Sequence, residues 1–346
     1  MKNLEFIWIR SFLKFRHPFG IASGTRSVTP VMFVRISSEG KHGYGEASMP
    51  PYLDETHETA ENFFALAEKI IRSDRSGNSI EDIIASIDNI SLGNSAAKAA
   101  IDIALHDLDG KIREQPCHRL FGIDARSTPS TTYTIGIGDH SLIGEKIIDA
   151  ELYPVLKVKL GTKDDMGIIR AIRRSTDKPI AVDVNQGWRD IGFAIEMAQW
   201  LHEQGVILLE QPLPKGMTDE MSLLTEKSPM PTIADESCQR MDDVKQMKGI
   251  FSGINIKLMK CTGMSEARKM FALARECGLK ILLGCMSESS CGASAAAQLS
   301  PLADWADLDG PLLLQQDPFH GITYKNGKIM LSDLPGTGAE PKEKLF

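Results

Sequence analysis

Residues 155–161, VLKVKLG, carry the apolar alternation of a buried β-strand, with Lys157 and Lys159 filling two of its positions. Side chains two apart on a strand share a face, so the two ammonium groups stand side by side, which is costly unless an anion lies near. The stretch is one of eight similar runs: TTYTIGI from 131, VLKVKLG from 155, IAVDVNQ from 180, GVILLEQ from 205, TIADES from 232, GINIKLM from 253, KILLGCM from 280 and WADLDG from 305. Their starts lie 21 to 27 residues apart, and the gaps hold helix-patterned sequence such as IGFAIEMAQWLHEQ and MSEARKMFALARECG, ending before Gly205 and at Gly278. Strand and helix alternating at this period imply parallel βαβ units. Eight of them would close a barrel, although a doubly wound open sheet has the same local pattern.

The first 125 residues read differently. LEFIWIRSFLKF and VMFVRISSEGKHGYGEA look like antiparallel strands joined at Gly40, and three amphipathic helices follow, with caps expected at Thr56 and Ser95. HGITYKNGKIMLSD, after residue 315, reads as a hairpin that rejoins this module. The expected fold is α/β: a modified, TIM-like (β/α)8-type barrel over 126–315 with an α+β capping domain of 1–125, completed by 316–346.

A net charge of −7 with no basic run argues against nucleic acid or an anionic membrane as partner and favours small-molecule chemistry. MKNLEFIWIRSFLKF is interrupted by Glu5 and Arg10, unlike a signal peptide, and no run reaches the length of a membrane span, so a cytoplasmic location is expected. The six cysteines lack metal or disulfide spacing and read as reduced, mostly buried side chains.

In a parallel barrel the chemistry sits at the C-terminal ends of the strands. There the runs carry Lys157 and Lys159, Asp183 and Asn185, Glu210, Asp235 and Glu236, Lys257, and Asp307 and Asp309. Asp183, Glu210 and Asp235, from three adjacent strands, would converge, and an all-oxygen set of three acids suits one Mg²⁺. Lys159 and Lys257, on the second and sixth runs, would face each other across the barrel mouth, as two bases serving opposite faces of one carbon. A neighbouring ammonium and a divalent cation would lower a lysine pKa toward neutrality, so Lys157 is expected to keep Lys159 poised, or itself to pair with a substrate carboxylate.

KVKLG, DVNQGW, LLEQPLP, IADES and INIKLMKCTG, in this order and spacing, resemble the enolase superfamily and its muconate-lactonising-enzyme-like subgroup, over essentially the whole chain. The resemblance implies abstraction of a proton α to a carboxylate, through an enediolate stabilised by Mg²⁺, with Asp183, Glu210 and Asp235 as ligands and Lys159 and Lys257 as acid and base. WADLDGP looks like the DxD motif of the dipeptide epimerases, in which Asp307 and Asp309 would hold a substrate's free α-ammonium group. Thr134 matches a position that contacts the substrate carboxylate, and Cys285, Met286 and Ser287 match a loop that contacts substrate through its backbone. Where Ala-Glu epimerases place an Arg in the lid loop, six residues after the Pro of a PF pair, the corresponding loop PFGIASGTRS has Gly24, with Arg26 displaced by two. The expected function is therefore two-base 1,1-proton transfer on a small dipeptide, Ala-Ala-like rather than Ala-Glu. An N-acylamino-acid racemase or o-succinylbenzoate synthase is the alternative within the subgroup, and a non-catalytic binding protein is the alternative outside it. Assembly as a homo-oligomer is left open.

Overall fold

The computed structural model describes residues 3–22, 24–73, 79–138 and 143–346. An antiparallel sheet opens the chain, with β1 (Glu5–Ile21), β2 (Gly24–Ser38) and β3 (Lys41–Ser48) in that spatial order. Glu39 and Gly40 turn between β2 and β3 with φ of 53° and 74°, the left-handed pair a tight hairpin needs. The β1–β2 hairpin is longer than the sequence suggests. PFGIASGTRS was expected as a loop, but Phe19 pairs with Arg26, Gly20 with Thr25 and Ile21 with Gly24, beyond a register irregularity between Lys14 and Phe19. The segment is thus the tip of a strand pair, which fixes where Arg26 lies.

Helices α1 (His57–Ser73), α2 (Ile80–Asp88) and α3 (Ser95–Ile112) cover this sheet. Thr56 caps α1 through its hydroxyl, 3.2 Å from the Thr59 N–H. Ser95 does not cap α3; it is the first helical residue, and the Glu55 carboxylate accepts the Ala96 and Ala97 N–H groups at 2.9 and 3.2 Å instead. Helix α3 lies almost against β3, because Gly43 and Gly45 present no side chain to it. A Cβ on Gly45 would sit 1.9 Å from the Ala100 carbonyl oxygen. Gly45→Ala is therefore expected to force helix and sheet apart at a cost of roughly 1–3 kcal/mol, measurable as a lower midpoint in chemical denaturation.

After the short α4 (Cys117–Leu120), the chain enters the barrel. Its parallel strands are β4 (Tyr133–Ile135), β5 (Leu156–Lys159), β6 (Ile180–Asp183), β7 (Val206–Glu210), β8 (Thr232–Ala234), β9 (Gly253–Lys257), β10 (Lys280–Gly284) and β11 (Trp305–Asp307), paired in sequence order. Thr131 bridges to Ala306, and the Thr132 N–H reaches the Ala306 carbonyl at 3.1 Å, which brings the last strand back to the first. Each run identified in the sequence is one of these strands. The intervening helices are α5 (Ile143–Asp149), α6 (Asp165–Arg173), α7 (Ile191–Glu203), α8 (Thr218–Lys227), α9 (Met241–Val244), α10 (Met264–Glu276) and α11 (Ser290–Ala297). After β11 a 3-10 turn, Gly310–Leu313, stands in place of a helix, which is how the barrel is modified.

The C-terminal segment divides. The hairpin of β13 (Thr323–Lys325) and β14 (Lys328–Met330) seals the foot of the barrel, where the Thr131 N–H meets the Gly327 carbonyl at 2.9 Å. The flanking pair β12 (Phe319–His320) and β15 (Glu340–Pro341) returns to the cap, with the Phe319 ring 5.2 Å from Phe33. Among the described residues no helix is long and apolar enough to cross a membrane.

Candidate active site

Strand register places the charged residues. Lys159, Asp183 and Glu210 stand level on β5, β6 and β7, while Lys257 and Asp307 stand level with Gly284 on β9, β11 and β10. Gly284 leaves room for its neighbour: a Cβ there would lie 3.0 Å from the Lys257 Cε. Asp235 follows β8 directly. Asp183, Glu210 and Asp235 are all buried, and one carboxylate oxygen of each lies within 4.8 Å of the others. Asn255 Nδ2 donates to Glu210 Oε1 at 2.7 Å, and Glu210 Oε2 faces the Lys157 ammonium at 2.7 Å. Three buried carboxylates gathered this closely form an all-oxygen donor set that fits a hard divalent cation.

Both lysines of the opening stretch point into the barrel. Lys157 Nζ lies 2.7 Å from Glu210, 2.6 Å from Asp307 and 3.2 Å from Asp183, and Lys159 Nζ lies 2.5 Å from the same Asp183 oxygen. The anions that the strand pattern requires are therefore three carboxylates. Across the ring, Lys257 Nζ bonds Asp235 Oδ2 at 2.7 Å. Lys260, three residues on, is fully buried and bonds Asp235 Oδ1 at 2.7 Å from behind, together with the carbonyls of Asp235, Cys238 and Asn255.

Before any cation is bound, the acids keep Lys157 and Lys257 charged. Burial would lower the Lys257 pKa, but Asp235 outweighs it and the pKa rises; at Lys157, burial is likewise outweighed by Asp307, Glu210 and Asp183. Asp235 falls well below the carboxylate range, since Lys257 and Lys260 together overcome its burial. Glu210 rises, because burial and the neighbouring Asp183 act in the same sense and Lys157 does not offset both. Apart from Asp307, the carboxylates that hold these lysines charged are the ones a cation would claim. Sequence reasoning weighed the ammonium neighbour and the cation but not how many acids surround Lys157.

Above this floor is a cavity of about 380 Å³, lined by Thr134, Lys157, Lys159, Asp235, Lys257, the 285–287 loop, Asp307 and Asp309 from the barrel, and by the hairpin tip and Tyr52 from the cap. Asp183 and Glu210 lie beneath it. Asp307 is already engaged, by Lys157 and by the Thr132 hydroxyl at 2.6 Å. Among the described residues Asp309 accepts only from Thr134, whose N–H lies at 2.5 Å, and burial together with Asp307 pushes its carboxyl up to about 7. The acid that lacks a cation is thus Asp309 rather than the pair. Thr134 is occupied in orienting it.

In the 285–287 loop the Cys285 N–H binds the Asp307 carbonyl at 3.0 Å and the Met286 N–H binds Glu288 Oε1 at 2.7 Å, so these two donors serve the loop itself. Gly24, at φ 151°, offers the cavity no side chain. Arg26 does. Its Nη2 donates to Ser287 Oγ at 3.1 Å, while its buried Nη1 has no hydrogen-bond partner among the described residues, and burial lowers its pKa. Two further residues escaped the sequence reading. Lys260 stood within a quoted motif, with its spacing from Lys257 as the only signal. Tyr52, whose hydroxyl lies 3.0 Å from Met286 Sδ, follows Pro50 and Pro51 in a segment with no pattern to mark it.

Comparison with known proteins agrees with this arrangement. Residues 6–122 match the mandelate racemase / muconate lactonizing enzyme N-terminal domain, and residues 144–345 match the enolase C-terminal domain-like family. An L-Ala-D/L-Glu epimerase of Bacteroides thetaiotaomicron is 50% identical over 327 residues, covering 94% of this chain and 85% of that protein. The substrate-liganded L-Ala-D/L-Glu epimerase of Bacillus subtilis superposes with a TM-score of 0.92 at 28% identity, over 98% of this chain and 99% of that one. The dipeptide epimerase of Cytophaga hutchinsonii, complexed with Mg and D-Ala-L-Val, superposes with a TM-score of 0.91 at 27% identity, over 99% and 96%. The chain belongs to the mandelate racemase / muconate lactonizing enzyme family of the enolase superfamily, in its dipeptide epimerase branch, and is an isomerase.

Proposed function

We propose that the protein is a Mg²⁺-dependent dipeptide epimerase that inverts the α-carbon of the C-terminal residue by two-base proton transfer. The observation that carries this reading is Lys159 on β5 and Lys257 on β9, four strands apart in an eight-stranded ring and both lining one cavity, with three convergent acids beneath. The cap, 1–125 with the β12–β15 pair, supplies the lid, and the barrel, 126–315 with the β13–β14 hairpin at its foot, supplies the chemistry. Asp183, Glu210 and Asp235 would hold the metal, which when bound supplies positive charge to the substrate carboxylate and so acidifies its α-proton. One lysine takes the proton from one face of the α-carbon and the other delivers one to the opposite face, so their roles exchange with the direction of reaction. Lys260 keeps Asp235 in place throughout. Asp309 receives the substrate's free ammonium group, with Asp307 fixed beside it by Lys157.

Gly24 alone pointed to a small apolar second residue. Arg26 changes that reading: an arginine with an unpartnered buried nitrogen beside the cavity suits an acidic side chain, and the Bacteroides relative is named for glutamate. Ala-Glu is therefore the better candidate, ahead of Ala-Ala. Removing one partner of a desolvated charge pair costs on the order of 2–5 kcal/mol, so Arg26→Gln should lower kcat/KM for Ala-Glu by roughly 30-fold or more and leave Ala-Ala nearly unchanged. N-acetyl-Ala-Glu should be turned over poorly by the parent enzyme. Efficient turnover of the acetylated compound would favour an N-acylamino-acid racemase, and a parent enzyme indifferent to the acidic side chain would return the preference to Ala-Ala.

A further inference from the structure

Four cap side chains reach the segment that follows β10. Arg26 donates to Ser287 Oγ, Ser48 Oγ donates to the Ser287 carbonyl at 3.0 Å, and the Tyr52 hydroxyl meets Met286 Sδ. The fourth, Glu46 on β3, makes the most bonds and does not line the cavity. Its carboxylate accepts the Ser289 N–H at 3.0 and 3.1 Å, the Ser289 hydroxyl at 2.6 Å and the Gly292 N–H at 3.1 Å.

Glu46 is fully buried, and that burial pushes its carboxyl up to about 7. At the start of helix α11 Ser289 Oγ accepts the Cys291 N–H at 3.1 Å, and Glu46 takes the next free donor, the Gly292 N–H. What Glu46 adds is a link from one domain to the other, two residues beyond Ser287. Glu288 meets the same turn from the barrel side: its Oε1 holds the Met286 N–H, and a Cβ on Gly292 would lie 2.4 Å from its Oε2. Gly310 closes the other side, where a Cβ would lie 2.9 Å from the Met286 carbonyl oxygen. The loop has almost no freedom while Glu46 is in place.

We propose that Glu46 is a positioning residue for dipeptide binding: by anchoring Ser289 and Gly292 to the cap, it sets the 285–287 loop against the cavity and Ser287 against Arg26. The kinetic part rests on the dipeptide epimerase reading; the structural part does not. The test compares Glu46→Gln, Ser289→Ala and the double variant with the parent by Ala-Glu kinetics and by backbone amide exchange. Each single variant should raise KM about tenfold with kcat within twofold, since outer partners of a site commonly contribute that much. The double variant should raise KM no more than the worse single one, because the Glu46 bond lost in Ser289→Ala is among those altered in Glu46→Gln. Amide exchange over 285–292 should quicken at least tenfold, with 180–210 unchanged, whatever the substrate proves to be. Unchanged KM in both single variants, a fall in kcat at constant KM, or unchanged local exchange would each overturn the proposal. Should Glu46→Gln fail to fold, Ser289→Ala still removes the shortest of the Glu46 bonds, together with the cap on the Cys291 N–H. Absent turnover in the parent would count against the dipeptide reading, and the exchange measurement would still decide the role of Glu46.

Discussion

Glu210→Gln is expected to leave a folded protein that binds Mg²⁺ weakly and epimerises at least 10²–10³-fold more slowly than the parent, the range seen when one preorganised charge-stabilising group is lost. Of the three acids it gives the cleanest test. Glutamine keeps the Oε1 acceptor for Asn255, and Lys157, which loses one carboxylate partner at 2.7 Å, keeps Asp183 and Asp307. Asp235→Asn should abolish activity too, but it leaves two buried ammonium groups, Lys257 and Lys260, facing a neutral amide. Breaking a buried pair commonly costs 3–5 kcal/mol, so Asp235→Asn should also lower thermal stability while Glu210→Gln does so only slightly. Calorimetric titration with Mg²⁺ and thermal melts of the metal-free proteins separate the two effects. Tight Mg²⁺ binding by Glu210→Gln would remove Glu210 from the ligand set.

Lys159→Ala and Lys257→Ala should each abolish epimerisation, with losses of at least 10²–10⁴-fold, the usual contribution of a positioned acid or base. They should differ in what survives. Each variant retains one lysine on one face, so each can still exchange the α-proton of one diastereomer with solvent. The two variants should favour opposite diastereomers. Lys157→Ala is a different case, because its ammonium neutralises Asp183, Glu210 and Asp307 together, and its loss should disturb the whole cluster rather than one face. Isotope exchange measured separately on the two diastereomers checks this, and near-parental epimerisation by either Lys159→Ala or Lys257→Ala would exclude the two-base assignment.

The barrel was legible because its evidence is local. A period of about 25 residues and charges recurring at strand ends are visible along the chain, and register then brings Lys159, Asp183 and Glu210 level. The lid was not. Whether PFGIASGTRS continues a strand pair depends on cross-strand hydrogen bonds from Phe19 to Arg26, which no periodicity reports. Tyr52 and Glu46 were missed for a related reason, since each acts across the cap–barrel boundary on residues more than 200 positions away. The number of acids around Lys157 was not legible either. Strand position identifies which charges converge, but the sign of the field depends on distances, and here Lys157 has three carboxylates within 3.2 Å. Likewise, reading Asp307 and Asp309 as an equal pair overlooked that Lys157 reaches only the first.

The central claim, that Lys159 and Lys257 move protons on opposite faces of one carbon above a metal-bearing floor, is tested most directly by following L-Ala-L-Glu in D₂O with Mg²⁺ by proton NMR. The account predicts that the epimer formed carries deuterium at the glutamate α-carbon from the first turnover, that the alanine α-proton is untouched, and that EDTA stops the reaction. Epimer that retains its original proton, exchange at alanine, or undiminished turnover in EDTA would contradict it.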